Sequence, residues 1–136
     1  MNTTRPIYSM VRRHMKRTAT FFVPGGERPA PAGLANEPGL VGWYENPTPW
    51  DSVIIAFTND AFIIIEGDSK SHVPWDTVID VSPPSSKTAS TGLEVGTTTG
   101  RRFVRVAGRG LGGRTSDAYA FLNVVRAVLP PDFEGR

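Results

Sequence analysis

The sequence has no cysteine. Disulfides, thiolate metal ligands and thiol nucleophiles are therefore excluded. Histidine is nearly as scarce: His14 and His72 stand alone, too few and too far apart for a histidine-based zinc site, which needs several donors at convergent spacing. Long apolar runs are missing as well. The longest, around residues 62–65, has the length of a strand, far short of the roughly 18 residues that a membrane-spanning helix needs. A signal-peptide core is not expected, because Arg12, Arg13, Lys16 and Arg17 interrupt the early residues. No serine sits in a nucleophile-elbow pattern. His72 near Asp68 and Asp76, and Asp76 four residues before Asp80, read as surface groups on a strand and not as an acid–base pair. The sequence is thus expected to be non-enzymatic, with no cofactor and no metal.

What is present is a chain of 136 residues, enough for one domain with one modest core. Its 14 glycines and 12 prolines announce many turns. The formal charge of +2 conceals an uneven layout. Residues 1–20 carry Arg5, Arg12, Arg13, Lys16 and Arg17 with no acid, and residues 101–114 carry Arg101, Arg102, Arg105, Arg109 and Arg114 with no acid. The rest of the chain is correspondingly acidic. Two basic stretches on an acidic body point to an anionic partner surface, or to arginines that are simply solvated.

Along the chain, residues 6–18 place Ile7, Met10, Val11, His14, Met15 and Thr18 at helical spacing, with the basic residues off that stripe. This predicts a basic amphipathic helix, either docked on the body or free to meet a membrane or an acidic partner. Residues 24–39, PGGERPAPAGLANEPG, offer little to bury and read as an extended linker or a loop wrapping the surface. From residue 40 the pattern turns to short strands: 40–45, then a hairpin of 52–58 and 61–66 around Asn59-Asp60, then 72–81 broken at Pro74. After a loop at 82–92, a second hairpin joins 93–98 to 102–107, with Arg102 and Val104 inward and Phe103 outward. Residues 116–129 form an amphipathic helix with Ala118, Phe121, Leu122, Val125, Val128 and Leu129 on one face. Thr115 or Ser116 is placed to cap it, Asp117 meets its positive end, and Pro130-Pro131 stops it. Trp43, Trp50 and Trp75 read as core or rim aromatics, Trp50 being the one placed in a loop.

The glycines before that helix spell two overlapping phosphate motifs. Gly108, Gly110 and Gly113 give G-x-G-x-x-G, and the stretch from Gly108 to Thr115 reads as a P-loop with Arg114 in the lysine place. Each motif needs a further strand with an acid beyond the helix. Within this sequence only PPDFEGR follows, so the expectation is a strand-to-helix turn. Arg109 and Arg114 beside the helix start remain able to hold one anion.

Strands followed by a closing helix, carried by FTNDAFIIIEG (57–67), VPWDTVIDV (73–81), TGLEVGTTTGRRFVRVAG (91–108) and SDAYAFLNVVRAVL (116–129), resemble the pleckstrin-homology-like superfamily, including bacterial pleckstrin-homology and GRAM-type domains. The resemblance covers roughly residues 40–130. It implies a mainly β (α+β) fold, a bent antiparallel sheet or barrel of six to seven strands closed by one C-terminal helix. Residues 1–39, basic helix and linker, would stand outside a domain of residues 40–136. It further implies a binding or adaptor module. The lipid-binding basic residues of that family do not carry over, since the loop ENPTPWD (45–51) has no lysine or arginine.

The leading expectation is a protein partner, met at a sheet edge or at Arg101, Arg102, Arg105, Arg109, Arg114 and Trp50. The alternative is peripheral contact with an anionic membrane through Arg12, Arg13, Lys16 and Arg17, for a chain otherwise expected in the cytoplasm. An immunity-type inhibitor of a toxin is a further alternative, resting on size alone. No nucleic-acid recognition signature accompanies the arginines. An exposed edge strand leaves homodimer pairing open.

Overall fold

The structure, a computed structural model, describes residues 7–16, 18, 20–46, 53–82, 92–107 and 117–129. Among them, helix α1 (Ile7–Met15) precedes strands β1 (Phe21–Phe22), β2 (Leu40–Glu45), β3 (Ile54–Thr58), β4 (Ala61–Glu66), β5 (Ser69–Pro74), β6 (Val78–Ser82), β7 (Gly92–Thr97) and β8 (Gly100–Arg105). Helix α2 (Asp117–Val128) comes last. The strands make two antiparallel sheets, one ordered β1-β2-β3-β4-β5 and one ordered β6-β7-β8. Both expected hairpins form. At the first, Thr58 Oγ1 accepts hydrogen bonds from the amides of Asp60 and Ala61 at 3.2 and 3.0 Å, which sets the tight turn. The loop expected at 82–92 lies largely outside the described residues, as do the glycine-rich turn, Thr115, Ser116 and Pro130-Pro131.

The stretch 72–81, read as one interrupted strand, is instead parts of two strands in different sheets. β5 begins earlier, after a Gly67-Asp68 turn, and ends at Pro74, which has no amide hydrogen for a ladder. A 3-10 turn over Trp75–Thr77 then carries the chain into β6. For this reason a single bent sheet or closed barrel does not form: among the described residues, no strand of one sheet pairs with a strand of the other. Side chains join them instead. Asn46, just past β2, donates from Nδ2 to the carbonyl of Arg105 at 2.8 Å and accepts from the amide of Ala107 at 2.7 Å. Arg102 of β8 donates to Ser71 of β5.

The main core fills the space between the sheets and the two helices. Phe121 of α2 is its hub, with ring centroids 5.9 Å from Phe57 and 5.3 Å from Phe62; Phe62 in turn lies 5.3 Å from Trp75. α2 buries Ala118, Phe121, Leu122, Val125 and Leu129 of its predicted stripe, with Val128 half-buried, and also Ala120 and Val124, because α1 packs against it. Of the predicted stripe of α1, Ile7, Met10, Val11 and Met15 are buried in the same core, while His14 is half-buried. Thr18 Oγ1 closes that helix by donating to the Met15 carbonyl at 2.7 Å. Asp117, in the first turn of α2, is buried and accepts from the Tyr44 hydroxyl at 2.8 Å, which ties the helix to β2.

A second, smaller cluster lies on the outer face of the five-stranded sheet. β3 and β4 are apolar on both faces: Ile55, Phe57, Phe62 and Ile64 point into the main core, while Ile54, Ala56, Ile63 and Ile65 point outward beside Trp43. Such runs suit strands covered on both sides. The outer cover is the proline- and glycine-rich segment before β2, with Leu34 buried and Ala30, Phe22 and Leu40 packed around it. Residues before 40 thus contribute to both clusters and are packed with the rest. β1 adds a short fifth strand, not anticipated in the sequence. It lies close to β2 because Gly42 has no Cβ; one built there would overlap the Phe21 ring and stand 2.7 Å from the Phe22 carbonyl oxygen.

Truncating the hub should therefore be severe. Phe121→Ala is expected to destabilise by about 3–5 kcal/mol and Tyr44→Phe, which removes a buried bond to a carboxylate, by about 1.5–3 kcal/mol. Urea denaturation followed by circular dichroism measures both; a Phe121→Ala variant with unchanged midpoint would contradict this core.

Candidate functional site

The two sheets differ in what lies on their outer faces. On the five-stranded sheet two polar contacts fasten the cover at the two ends of one row of the ladder, Glu45 on β2 and Lys70 on β5. Arg28 grips Glu45 with two hydrogen bonds, Nε to Oε2 at 2.7 Å and Nη2 to Oε1 at 2.6 Å, and stacks over Phe22. Glu45 also accepts from Trp43 Nε1 at 2.9 Å. At the other edge, Lys70 donates to Glu37 Oε1 and to the Gly33 carbonyl, both at 2.9 Å, and His72 Nε2 stands 3.6 Å from Glu37 Oε2. The partner of His72 is therefore a carboxylate from the cover, not Asp68 or Asp76. The hydrogen bond from Lys70 holds the Glu37 carboxyl below its ordinary range, and the Glu45 contact holds the Arg28 guanidinium above its own. A shallow depression of about 610 Å³ lies alongside, bordered by Phe21, Phe22 and Arg28, but its arginine is already committed to Glu45.

The outer face of the three-stranded sheet carries no such cover among the described residues. Alternation along β7 and β8 sends Leu93, Val95 and Val104 into the core and turns Glu94, Arg101 and Phe103 outward. Phe103 is 48% exposed and Ile79, at the irregularity between Val78 and Asp80, is 53% exposed. Gly92 lies opposite Arg105 with φ +148°, and a Cβ there would stand 2.1 Å from the Val104 carbonyl oxygen and 3.0 Å from Phe103 Cζ, so only glycine fits this close approach of β7 to β8. The same sheet carries a polar network centred on Arg101. Arg101 Nε donates to Glu94 Oε1 at 3.2 Å, and its Nη2 donates to Ser82 Oγ at 3.0 Å and lies 3.3 Å from Asp80 Oδ1. Those two acids hold the Arg101 guanidinium above its ordinary value, Glu94 foremost through its hydrogen bond.

The predicted basic stretch is therefore divided by the fold. Arg101 is matched by two carboxylates on its own sheet, and Arg102 is turned inward toward Ser71. Arg105 lies at the end of β8, half-buried, with no ion-pair partner among the described residues. Arg109, Arg114 and Trp50 lie outside the described residues. At the N-terminus, Arg12, Arg13 and Lys16 are exposed on the polar side of α1, while Arg17 lies outside the described residues. The apolar side of α1 is occupied by α2 and β2. Inserting it into a membrane would first cost the burial of its apolar side chains, about 1.5–3 kcal/mol each, against about 1 kcal/mol gained per basic residue near an anionic surface.

Sequence reasoning missed Glu37, Glu45, Arg28 and Asn46, because their partners lie far along the chain. The continuous apolar runs of β3 and β4 were the available signal: strands without a polar face require a cover on each side.

The Glu37 contact has a definite pH dependence. Its folded-state value lies below the unfolded one, so its contribution is fully present above the ordinary glutamate range and disappears as pH falls through the lowered value. Amide hydrogen exchange, corrected for intrinsic rates, should show the segment around Gly33 and Leu34 opening faster on acidification. Glu37→Gln should produce the same opening at neutral pH, at a cost of about 0.2–1 kcal/mol, while Glu94→Gln should leave that segment unchanged. The chain matches no protein-family model, no curated protein and no solved structure with which it was compared.

Proposed function

We propose that this chain is a non-enzymatic binding module of pleckstrin-homology-like architecture, and that a protein partner docks on the outer face of its three-stranded sheet. The element order supports the architecture: four consecutive antiparallel strands β2–β5, three more in β6–β8, then α2. One observation carries the functional reading. The chain spends its own N-terminal residues covering one sheet, yet leaves Ile79 and Phe103 about half exposed on the other. An aromatic and an aliphatic anchor beside charges already fixed by one another is the composition of a protein interface, an apolar centre with a polar rim. Arg101, Glu94 and Asp80 balance to within one charge, so this face selects by shape and apolar contact more than by net charge. The face is favoured over the β8 edge because the carbonyl of Arg105 and the amide of Ala107 are already bonded to Asn46, which shortens any added strand.

Phe103→Ser combined with Ile79→Ser tests this. Both side chains are exposed, so stability should move by no more than about 0.5 kcal/mol per site. Loss of such anchors should weaken a protein complex tenfold or more. In cross-linking pull-downs from the native cells, partners retained by the unaltered chain should be lost from the double variant. Recovery of the same partners in the same yield would overturn the reading.

A further inference from the structure

The helix layer presents a second surface, distinct in charge from the sheet face. On α1 and the residue following it, Tyr8, Ser9, Arg12, Arg13 and Lys16 are exposed; on α2, Tyr119 and Arg126 are exposed. α1 contains no acid, and the sole acid of α2, Asp117, is buried against Tyr44. The two helices pack on each other, so four cations share one layer with no exposed carboxylate among the described residues of either helix. The acids of the described chain lie on the strands, turns and cover instead, at Glu27, Glu37, Glu45, Asp60, Glu66, Asp68, Asp76, Asp80 and Glu94. Among the described residues, such segregation favours the approach of an anionic surface from the side of the helices.

We propose that this two-helix face docks reversibly, without insertion, on the headgroup layer of an anionic lipid bilayer. The two tyrosines favour lipid over nucleic acid. Tyr8 is 51% and Tyr119 is 40% exposed, each offering an apolar ring with a polar tip, the side chain that settles at the headgroup level. Arg12 holds Tyr8 in place, donating to its hydroxyl at 2.7 Å. A phosphate backbone would meet the same cations but offers the rings no apolar layer. The mode also differs from an amphipathic helix lying in the membrane, because Ile7, Met10, Val11 and Met15 stay in the core throughout.

The test is co-sedimentation of the full chain with phosphatidylserine-rich vesicles, and with pure phosphatidylcholine vesicles, at low and at physiological salt. Binding should require phosphatidylserine and weaken with salt, since screening sets in over about 10 Å at 0.1 M. Arg13→Glu and Arg126→Glu, both at exposed positions, should each weaken it by at least about fivefold. Tyr8→Ser with Tyr119→Ser should weaken vesicle binding while leaving any binding to duplex DNA unchanged. Circular dichroism confirms that each variant is folded. Absence of vesicle binding at low salt overturns the proposal. So does vesicle binding indifferent to the tyrosines but matched by equal affinity for duplex DNA, which would mark a general polyanion face. Vesicle binding that survives both arginine reversals, or that is lost only when Phe103 is changed, likewise overturns it.

Discussion

Two strands without a polar face determine how this molecule is put together. β3 and β4 carry apolar side chains both inward and outward, and a strand of that kind cannot border water on either side. The inner face recruits α2, whose Phe121 meets both Phe57 and Phe62, and beside α2 the short helix α1, which packs on both α2 and β2. The outer face recruits the segment before β2, which lies across it. A proline- and glycine-rich stretch serves, since it needs no hydrogen-bonded ladder of its own and is held by Leu34 and by charged side chains at both ends of one ladder row. Once both faces of that sheet are covered, the three-stranded sheet keeps one face on the core and one that has no cover among the described residues.

The polar contacts are placed where packing cannot specify geometry. Asn46 joins the ends of β2 and β8 through three hydrogen bonds, two of them to groups on or just past β8. Tyr44 and Asp117 set the depth of α2 against β2. Buried polar groups of this kind are costly when unpaired, so each fixes a register that apolar contacts alone would leave loose. The result is two sheets joined by side chains and a turn, not one continuous ladder.

Charge follows the same division of labour. The formal balance is close to neutral, yet among the described residues the exposed charges of the helices are all cations and the acids other than Asp117 lie on the sheets, turns and cover. On the three-stranded sheet the positive charge of Arg101 is consumed by Glu94 and Asp80. The exposed Ile79 and Phe103 and the exposed cations of the helices therefore sit on different layers.

The sequence by itself determined the local order: the two hairpins, the inward and outward alternation of β8, the apolar stripes of both helices and the dominance of β structure. These depend on periodicity and turn residues, which are local quantities. Only the tertiary structure decided that 72–81 divides between two sheets, that the stretch before residue 40 shares the core, and that Arg101 and Arg102 are not free. Each of those outcomes is a contact between residues distant in the chain, as Glu37 with Lys70, Asn46 with Arg105 and Arg102 with Ser71 show. A run of arginines reads as a basic patch until folding brings carboxylates to it, and the partners of a charge are set by the register of strands, not by its neighbours in sequence.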